Sequence, residues 1–138
     1  MLTRKTIKRL LALVTIAALF FALAAGCSQP ADNGAEKITV TVKITAPDKE
    51  IINEDIQIDK EGATAGKAIM QACQSKKLAY TNDSGLYDNF DGVASTETEG
   101  WVFLYNGETV MVGADEQEIK SGDTVEFIYG AYSDYFDF

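Results

Sequence analysis

The sequence predicts an α+β domain in which a mixed β-sheet packs on one short helix. Alternating apolar residues predict two strands early in the domain, one amphipathic segment predicts a helix, and several strand-like segments follow it. Because one helix can cover only one face of a sheet, this order favours a helix on one side of the sheet. Roughly a hundred residues are enough to bury one such core.

The first two strands are predicted from a period of two. The apolar residues of the first strand alternate with threonine and lysine; they are Ile38, Val40, Val42 and Ile44. Pro47 and Asp48 indicate a turn. A second strand is predicted at about 51–58, where isoleucines share one face and Glu54 interrupts it. The two strands are expected to form a hairpin.

One helix is predicted at about 65–76. Gly62 breaks the strand pattern and Thr64 is a suitable N-cap. Its small apolar residues recur at helical spacing; they are Ala65, Ala68, Ile69, Ala72 and Cys73. We expect Cys73 to act as a small buried hydrophobe. The alternative is a reactive thiol, which an unpaired cysteine in an exported protein can provide.

The second half of the domain alternates irregular and strand-forming segments. Residues 80–100 are polar and rich in turn formers, so we expect them to be irregular. A strand is predicted at 101–105, and the Asn-Gly pair after it predicts a tight hairpin turn. The return strand is expected at about 108–112 and the last strand at 124–131.

The strand at 101–105 has two apolar faces. Trp101, Phe103 and Tyr105 share one face, while Val102 and Leu104 share the other. One face can pack under the helix, and the other needs a second layer, a partner or a ligand. Each aromatic side chain offers roughly 150–250 Å² of contact area. The sequence leaves open whether the aromatic face is core or binding surface.

Two polar segments are candidates for chemistry. The oxygen-rich stretch 82–91 has ligand types that calcium prefers, but its spacing does not match the helix–loop–helix calcium pattern. We therefore interpret it as ordinary turns, and the acidic stretch 115–118 as a solvated loop.

The protein has no histidine, which excludes Ser-His and Cys-His nucleophile pairs. A hydrolase would have to use Asp or Glu alone.

The N-terminus has the three-part layout of a secretory signal peptide: a basic start, an uncharged stretch at 10–25 and small residues before Cys27. Residues 23–27, Leu-Ala-Ala-Gly-Cys, resemble the lipobox of bacterial lipoproteins, in which the cysteine carries lipid. The alternative is an uncleaved membrane helix, but the stretch is shorter than the roughly 20 residues that span a bilayer. We predict a signal peptide at 1–26, a lipidated tether at 27–36 and a domain at 37–138.

The charge of the chain limits its partners. Cleavage before Cys27 would remove four of the 12 basic residues and none of the 21 acidic ones, changing the net charge from −9 to −13. Such a chain repels nucleic acid, so we expect no nucleic-acid partner. Membrane contact is expected through the lipid on Cys27. The aromatic, acidic tail beyond Ser133 could dock on the domain or contact a partner.

Four segments in order carry a family resemblance. They are Glu-Gly-Ala-Thr at 61–64, Gly-Leu-Tyr at 85–87, Gly-Trp-Val-Phe-Leu-Tyr-Asn-Gly at 100–107 and Ser-Gly-Asp-Thr-Val-Glu at 121–126. Over about residues 37–132 the chain resembles bacterial domains similar to the C-terminal domain of transcobalamin, grouped as a domain of unknown function. The resemblance implies a β-grasp-like fold, which agrees with the predicted order of elements.

The resemblance also implies a binding surface. In the animal cobalamin carriers this domain forms one side of a sandwich around the corrinoid. The matching ligand-binding positions are Gly85, Leu86, Tyr87, Asp88, Trp101, Phe103, Tyr105 and Asn106. The large helical domain that forms the opposite wall in those carriers has no counterpart in this sequence.

The sequence favours a non-enzymatic, membrane-tethered module on the extracytoplasmic face of the cell membrane. Its expected ligand is cobalamin, another corrinoid or a similar small molecule, with no cofactor or metal required. The alternative is a cell-surface protein-interaction module that uses the aromatic strand face or the tail, with a surface or transporter protein as its partner. A cell-wall hydrolase is a third, disfavoured hypothesis.

Overall fold

The computed structural model describes residues 34–138 of the chain. The predicted signal peptide, Cys27 and all but the last three residues of the predicted tether therefore lie outside the described residues. No helix within residues 34–138 has the length and apolar character to cross a membrane.

The structure describes eight strands and one α-helix between residues 34 and 138. In chain order they are β1 (Lys37–Thr45), β2 (Glu50–Asp59), α1 (Ala65–Lys76), β3 (Tyr80–Asp83), β4 (Leu86–Phe90), β5 (Val93–Ala94), β6 (Glu99–Tyr105), β7 (Glu108–Thr109) and β8 (Thr124–Ala131), followed by a 3-10 turn at Tyr132–Asp134. The main sheet has the order β2-β1-β8-β6-β7, and β3-β4-β5 form a second sheet. In this part of the chain, only β1 and β8 pair in parallel. The predicted α+β class, a mixed sheet with one short helix, is confirmed.

The β1–β2 hairpin forms as predicted. The two strands pair antiparallel, from Lys37 opposite Asp59 to Thr45 opposite Glu50. Their core-facing isoleucines and valines are buried because they alternate with polar residues along both strands. Glu54, which interrupts the apolar face of β2, makes an ion pair with Lys76 in the last turn of α1. The interruption thus lies where the helix ends above the sheet.

Helix α1 also has the predicted bounds and cap. The Oγ1 atom of Thr64 accepts a hydrogen bond from the backbone N–H of Lys67, at 3.3 Å. The helix ends at Lys76 and is capped by Lys77, whose backbone is left-handed with φ 54°. Its predicted apolar stripe is fully buried, and Cys73 lies within it. The small side chains of the stripe let the helix lie close to the sheet.

The prediction that residues 80–100 are irregular is wrong. They form the second sheet, whose strands are only two to five residues long. Two tight turns connect them, at Ser84-Gly85 and at Asp91-Gly92, and all four turn residues have positive φ. Type I′ hairpin turns require this conformation, and Asp-Gly is one of their typical sequences. The sequence therefore contained a hairpin signal at Asp91-Gly92.

The return strand is shorter than the predicted 108–112. Strand β7 ends at Thr109, and the chain then leaves the edge of the sheet. The chain leaves because Ala114 is hydrogen-bonded to α1 and to the turn before β4. Its C=O accepts from the N–H of Gly66 at 2.8 Å, and its N–H donates to the C=O of Gly85 at 3.4 Å. The departure of segment 110–113 leaves the edge of β6 that faces away from β8 without a neighbouring strand at 101–103.

The core joins the two sheets and the helix through aromatic contacts. Phe90 lies at its centre, with ring centroids 4.9 Å from Trp101, 5.2 Å from Phe127 and 5.4 Å from Tyr87. Phe103 stacks on Phe127 at 5.3 Å. The aromatic face of β6 therefore faces the core. Residues 35–138 form one compact unit with this core of their own.

Candidate functional site

A groove lies beside β6, between β4 and the departing segment 110–113. Its volume is about 420 Å³. We call it the β6 groove and describe it by three surfaces. The floor is aromatic and belongs to the core; it consists of Tyr87, Trp101, Phe103 and Phe127. The groove exists because β7 ends early and the chain crosses from the edge of β6 toward β4.

The rim of the β6 groove exposes large apolar side chains to solvent. Leu86 is 72% exposed, Met111 93% and Val112 44%. Among the described residues, only one other large hydrophobic side chain is exposed, that of Phe138. Clustering of exposed apolar residues around a concavity is typical of a binding surface rather than of a solvated one.

The third surface, the outer wall, includes Val102 on the side of β6 that faces away from α1, together with the C-terminal tail. The N–H of Tyr132 donates to the C=O of Thr98 at 3.0 Å, and Phe136 also lines the groove. The sequence left open whether the tail docks on the domain or contacts a partner. In the structure residues 132–136 dock on the domain, where they form part of the groove.

Two glycines make room for the tail. Gly100 and Gly130 are directly paired on β6 and β8. A Cβ atom on Gly100 would lie 2.1 Å from the hydroxyl oxygen of Tyr132, and one on Gly130 would lie 2.9 Å from Cε2 of Tyr135. Both tail rings therefore rest against bare backbone, where any larger residue would displace them.

The structure brings six of the eight predicted ligand-binding residues together at the β6 groove. They are Gly85, Leu86, Tyr87, Asp88, Trp101 and Phe103. The other two, Tyr105 and Asn106, do not line it. Their polar atoms are used by the carboxylate of Asp123, which lies at the start of β8.

The Asp123 carboxylate holds the β6–β7 hairpin. It accepts hydrogen bonds from the hydroxyl of Tyr105 at 2.5 Å, from Nδ2 of Asn106 at 3.2 Å and from the N–H of Lys120 at 2.8 Å. Burial alone would raise the pKa of Asp123, but these hydrogen bonds outweigh it and the pKa lies below its ordinary value. The hydrogen bond to Asp123 likewise raises the pKa of Tyr105. This cluster stabilises the fold and is not aimed at the groove.

Tyr87 has an unusual hydroxyl. Its ring is part of the groove floor, and its hydroxyl is buried without a hydrogen-bond partner among the described residues. Burial, followed by the nearby carboxylate of Asp115, raises the pKa of Tyr87 strongly. The hydroxyl therefore stays protonated and neutral, and the ring acts in the groove as an apolar surface.

The part of the domain that forms the groove is strongly acidic. Residues 78–138 contain 13 Asp and Glu but a single basic residue, Lys120. Among residues 34–138, Asp88 is the only charged residue that lines the groove. An excess of one charge around a concavity with apolar walls favours ligands of the opposite sign.

Sequence reasoning missed the rim at 110–112 and the tail wall. The Val-Met-Val run at 110–112 belongs to the return strand that the sequence predicts at 108–112, whereas in the structure it lies beyond the end of β7. Three consecutive apolar residues do not alternate as in a strand with one solvated face, and this was the signal that could have revealed the rim. The tail was recognised as aromatic, but its docking place depends on Gly100 and Gly130, which lie far from it in sequence.

A second concavity of about 340 Å³ lies between β2 and α1. Long polar side chains line it, and its two cationic residues already have partners. Lys37 pairs with Asp59 at 3.4 Å, and Nζ of Lys67 donates to the C=O of Gly62 at 2.6 Å. Lacking an aromatic floor, it is a weaker candidate than the β6 groove.

The oxygen-rich stretch 82–91 is used for turns. The side-chain oxygen of Asn82 accepts from the N–H of Gly85 at 2.8 Å, and that of Asn89 accepts from the N–H of Gly92 at 3.0 Å. Within residues 34–138, no three acidic, cysteine or histidine side chains are grouped to hold a metal ion.

The fold and the groove define a small β-grasp-like domain with an open concavity beside one strand of its main sheet. The chain belongs to the family described as Domain of unknown function (DUF4430), whose model matches residues 62–131. The family resemblance predicted from the sequence is confirmed.

Solved structures share the fold. The crystal structure of haptocorrin in complex with Cbi superposes with a TM-score of 0.61 over 70% of this chain, at 13% identity, and the match spans 26% of the haptocorrin chain. A crystal structure from Ruminococcus gnavus ATCC 29149, of a protein named as a candidate for metal binding, gives a TM-score of 0.48 at 16% identity over 68% of this chain and 97% of that one. Among curated protein sequences, none matches this chain.

Proposed function

We propose that this protein is a non-enzymatic ligand-binding module, held on the extracytoplasmic face of the membrane by lipid on Cys27, with the β6 groove as its binding site. The observation that carries the proposal is the groove itself. An aromatic floor is surrounded by exposed Leu86, Met111 and Val112. Exposed apolar surface of this kind costs solubility unless a ligand or partner covers it.

The first candidate ligand is cobalamin or another corrinoid. Two facts support it: the shared fold with haptocorrin, which was solved in complex with Cbi, and an aromatic floor suited to a flat, partly apolar molecule. The groove lies open on one side, so it covers only part of such a ligand. Tethering to the membrane would then favour binding, because it raises the effective concentration of the groove near a membrane protein that covers the remaining part of the ligand.

Corrinoid binding can be tested with residues 35–138, which form a compact unit. Trp101 is the only tryptophan of the protein and lies in the groove floor, so its fluorescence reports on the site. Titration with dicyanocobinamide and cyanocobalamin should quench it in a saturable way. Met111→Ala should weaken binding by about tenfold, since a buried methionine contributes roughly 1.5–3 kcal/mol, while Met70→Ala, outside the groove, should not. No saturation at millimolar corrinoid would exclude this ligand class.

The anchor has a separate test. Cells that express the full chain and are fed a labelled fatty acid should incorporate the label into the protein. Cys27→Ser should abolish labelling and leave the protein unable to partition with membranes. Retention of the label in Cys27→Ser would place the lipid on another residue and contradict the proposed anchor.

A further inference from the structure

The backbone N–H and C=O groups of β6 point alternately toward β8 and toward the opposite edge of the strand. In an antiparallel pair, successive residues direct their N–H and C=O groups toward the partner strand and away from it in turn. Just before β6, the C=O of Thr98 accepts from the N–H of Tyr132, so the even-numbered residues face β8. The N–H of Trp101 instead donates to Oγ of Ser95 at 3.3 Å. Odd-numbered residues, including Phe103, therefore face away from β8.

Strand β7 covers only part of this outward edge. It pairs with Leu104 and Tyr105 and ends at Thr109. Within residues 34–138, no strand pairs with the outward edge at 101–103. The C=O of Trp101 and the N–H of Phe103 therefore face the β6 groove, on either side of Val102. Unpaired strand edges are the places where a further strand can add.

The groove offers apolar surface on both sides of this edge. The side chains of Trp101 and Phe103 lie on the floor side, and Val102 lies on the outer side beside Phe136. An extended segment along the edge would place its successive side chains alternately on the floor and against the outer wall. Short peptides that add a strand to a sheet edge are recognised in this way, through backbone hydrogen bonds and alternating side-chain contacts.

The charges around the groove determine which segment fits. Asp88 lines the groove, Asp134 lies in the docked tail, and Lys120 is the only basic residue of 78–138. A segment with acidic flanks would be repelled, whereas Lys or Arg on either side of an apolar centre would be attracted.

We propose that the β6 groove binds an extended peptide segment of a partner protein, with apolar residues at its centre and Lys or Arg at its flanks, which adds a short strand to β6 at 101–103. The N–H of Phe103 donates to a carbonyl of the segment, and the C=O of Trp101 accepts from one of its N–H groups. Three residues of the segment are enough to make both bonds. The inference goes beyond the small-molecule function proposed above and does not depend on it.

The test uses residues 35–138, labelled with ¹⁵N, and the synthetic peptide acetyl-KKVFVKK-amide. Titration should shift the Phe103 amide signal and slow its hydrogen exchange, since the amide becomes hydrogen-bonded. The same peptide with N-methyl groups on its three apolar residues should bind at least about tenfold more weakly, because it cannot donate to Trp101. The peptide acetyl-EEVFVEE-amide should not bind at moderate ionic strength.

A matched pair of variants tests the charge argument. Asp88→Asn should weaken binding of the cationic peptide by about two- to fivefold, as expected for an exposed ion pair, and added salt should reduce the difference. Asp48→Asn, at the exposed turn between β1 and β2, should leave binding unchanged. Equal binding of the cationic and anionic peptides would contradict the proposed flanks.

Other outcomes identify other occupants. Peptide binding without protection of the Phe103 amide would overturn the strand addition. A Phe103 signal that shifts with protein concentration alone would make a second copy of this chain the occupant. If corrinoids bind and the peptide does not bind at millimolar concentration, only this inference fails. If the peptide binds and corrinoids do not, only the corrinoid proposal fails.

Discussion

The hydroxyl of Tyr105 donates a 2.5 Å hydrogen bond to Oδ2 of Asp123, which lies 18 residues further along the chain. This contact joins the end of β6 to the start of β8, and Asn106 and Lys120 complete the coordination of the same carboxylate. Three hydrogen bonds at this end of the β6–β7 hairpin therefore converge on a single buried acid. The charge of Asp123 therefore contributes to the stability of the hairpin, beside the strand pairing of β6 with β7 and β8.

We expect Asp123→Asn to destabilise the domain by about 2 kcal/mol, because hydrogen bonds to a charged acceptor contribute roughly 1.5–3 kcal/mol. Chemical denaturation of residues 35–138 at neutral pH measures the free energy of unfolding. Asp48→Asn, an exposed acid, is the control and should change it little. An unchanged free energy of unfolding in Asp123→Asn would mean that the carboxylate does not stabilise the hairpin.

The same cluster predicts a pH dependence of stability. Because folding holds the pKa of Asp123 below its ordinary value of 3.8, its contribution is complete above about pH 4 and is lost as the pH falls through the folded pKa. The pKa of Tyr105 is raised above 10 by Asp123, so the contribution of Tyr105 is present below pH 10 and is lost as the pH rises further. Asp123→Asn should therefore lose less stability as the pH falls. Thermal denaturation between about pH 2 and 7 measures this loss. A loss as steep as that of the unchanged protein would contradict the assignment to Asp123.

Tyr87→Phe should raise stability, by about 1–3 kcal/mol at most, because it removes a buried hydroxyl without a hydrogen-bond partner while retaining the ring. Tyr129→Phe is the matched control. The Tyr129 hydroxyl donates to the C=O of Ala94 at 3.2 Å, so its loss should lower stability or leave it unchanged. Denaturation midpoints measure both. A destabilised Tyr87→Phe would indicate that this hydroxyl has a partner in solution.

Gly100→Ala should displace the C-terminal tail. The new Cβ atom would lie 2.1 Å from the hydroxyl of Tyr132 and 2.5 Å from Oγ of Ser95, so the tail must move. Gly113→Ala is the control, since its Cβ would meet nothing closer than 3.5 Å. Limited proteolysis should cleave the tail of Gly100→Ala faster than that of Gly113→Ala. Adding Tyr132→Phe to Gly100→Ala should restore part of the protection.

Cys73 should resist thiol reagents. It is fully buried in α1, and burial raises its pKa to about 12, so almost no thiolate exists at neutral pH. In the full chain bearing Cys27→Ser, Cys73 is the sole cysteine, and its labelling should proceed at the rate of unfolding. Denaturant should accelerate it strongly. Fast labelling under native conditions would show that α1 opens locally.

Strong periodicity made half of the fold predictable. The β1–β2 hairpin, α1 with its Thr64 cap, and β8 follow from apolar spacing that neighbouring residues reinforce. Strands β3, β4 and β5 were missed because they are short and because polar residues interrupt the apolar ones of β4. Their pairing depends on two tight turns rather than on an apolar pattern. Only the Asp91-Gly92 pair gave a local sign of them.

The candidate site was partly predictable for a different reason. The family resemblance pointed to positions on β4 and β6, and the structure places six of them around one groove. It could not separate Phe103, on the floor, from Tyr105, because both lie on the same face of β6. What separates them is Asp123, a long-range partner that only the folded chain brings to Tyr105.

The parallel pairing of β1 with β8 has a consequence for how the chain is made. Thr41 lies opposite Thr124, so the central contact of the main sheet joins residues more than half the chain apart. A chain synthesised from its N-terminus exposes the β1–β2 hairpin long before β8 follows, and the closure of such distant contacts is slow. During that interval one edge of β1 has no native neighbour. The protein therefore completes its main sheet only after almost the whole chain has been synthesised.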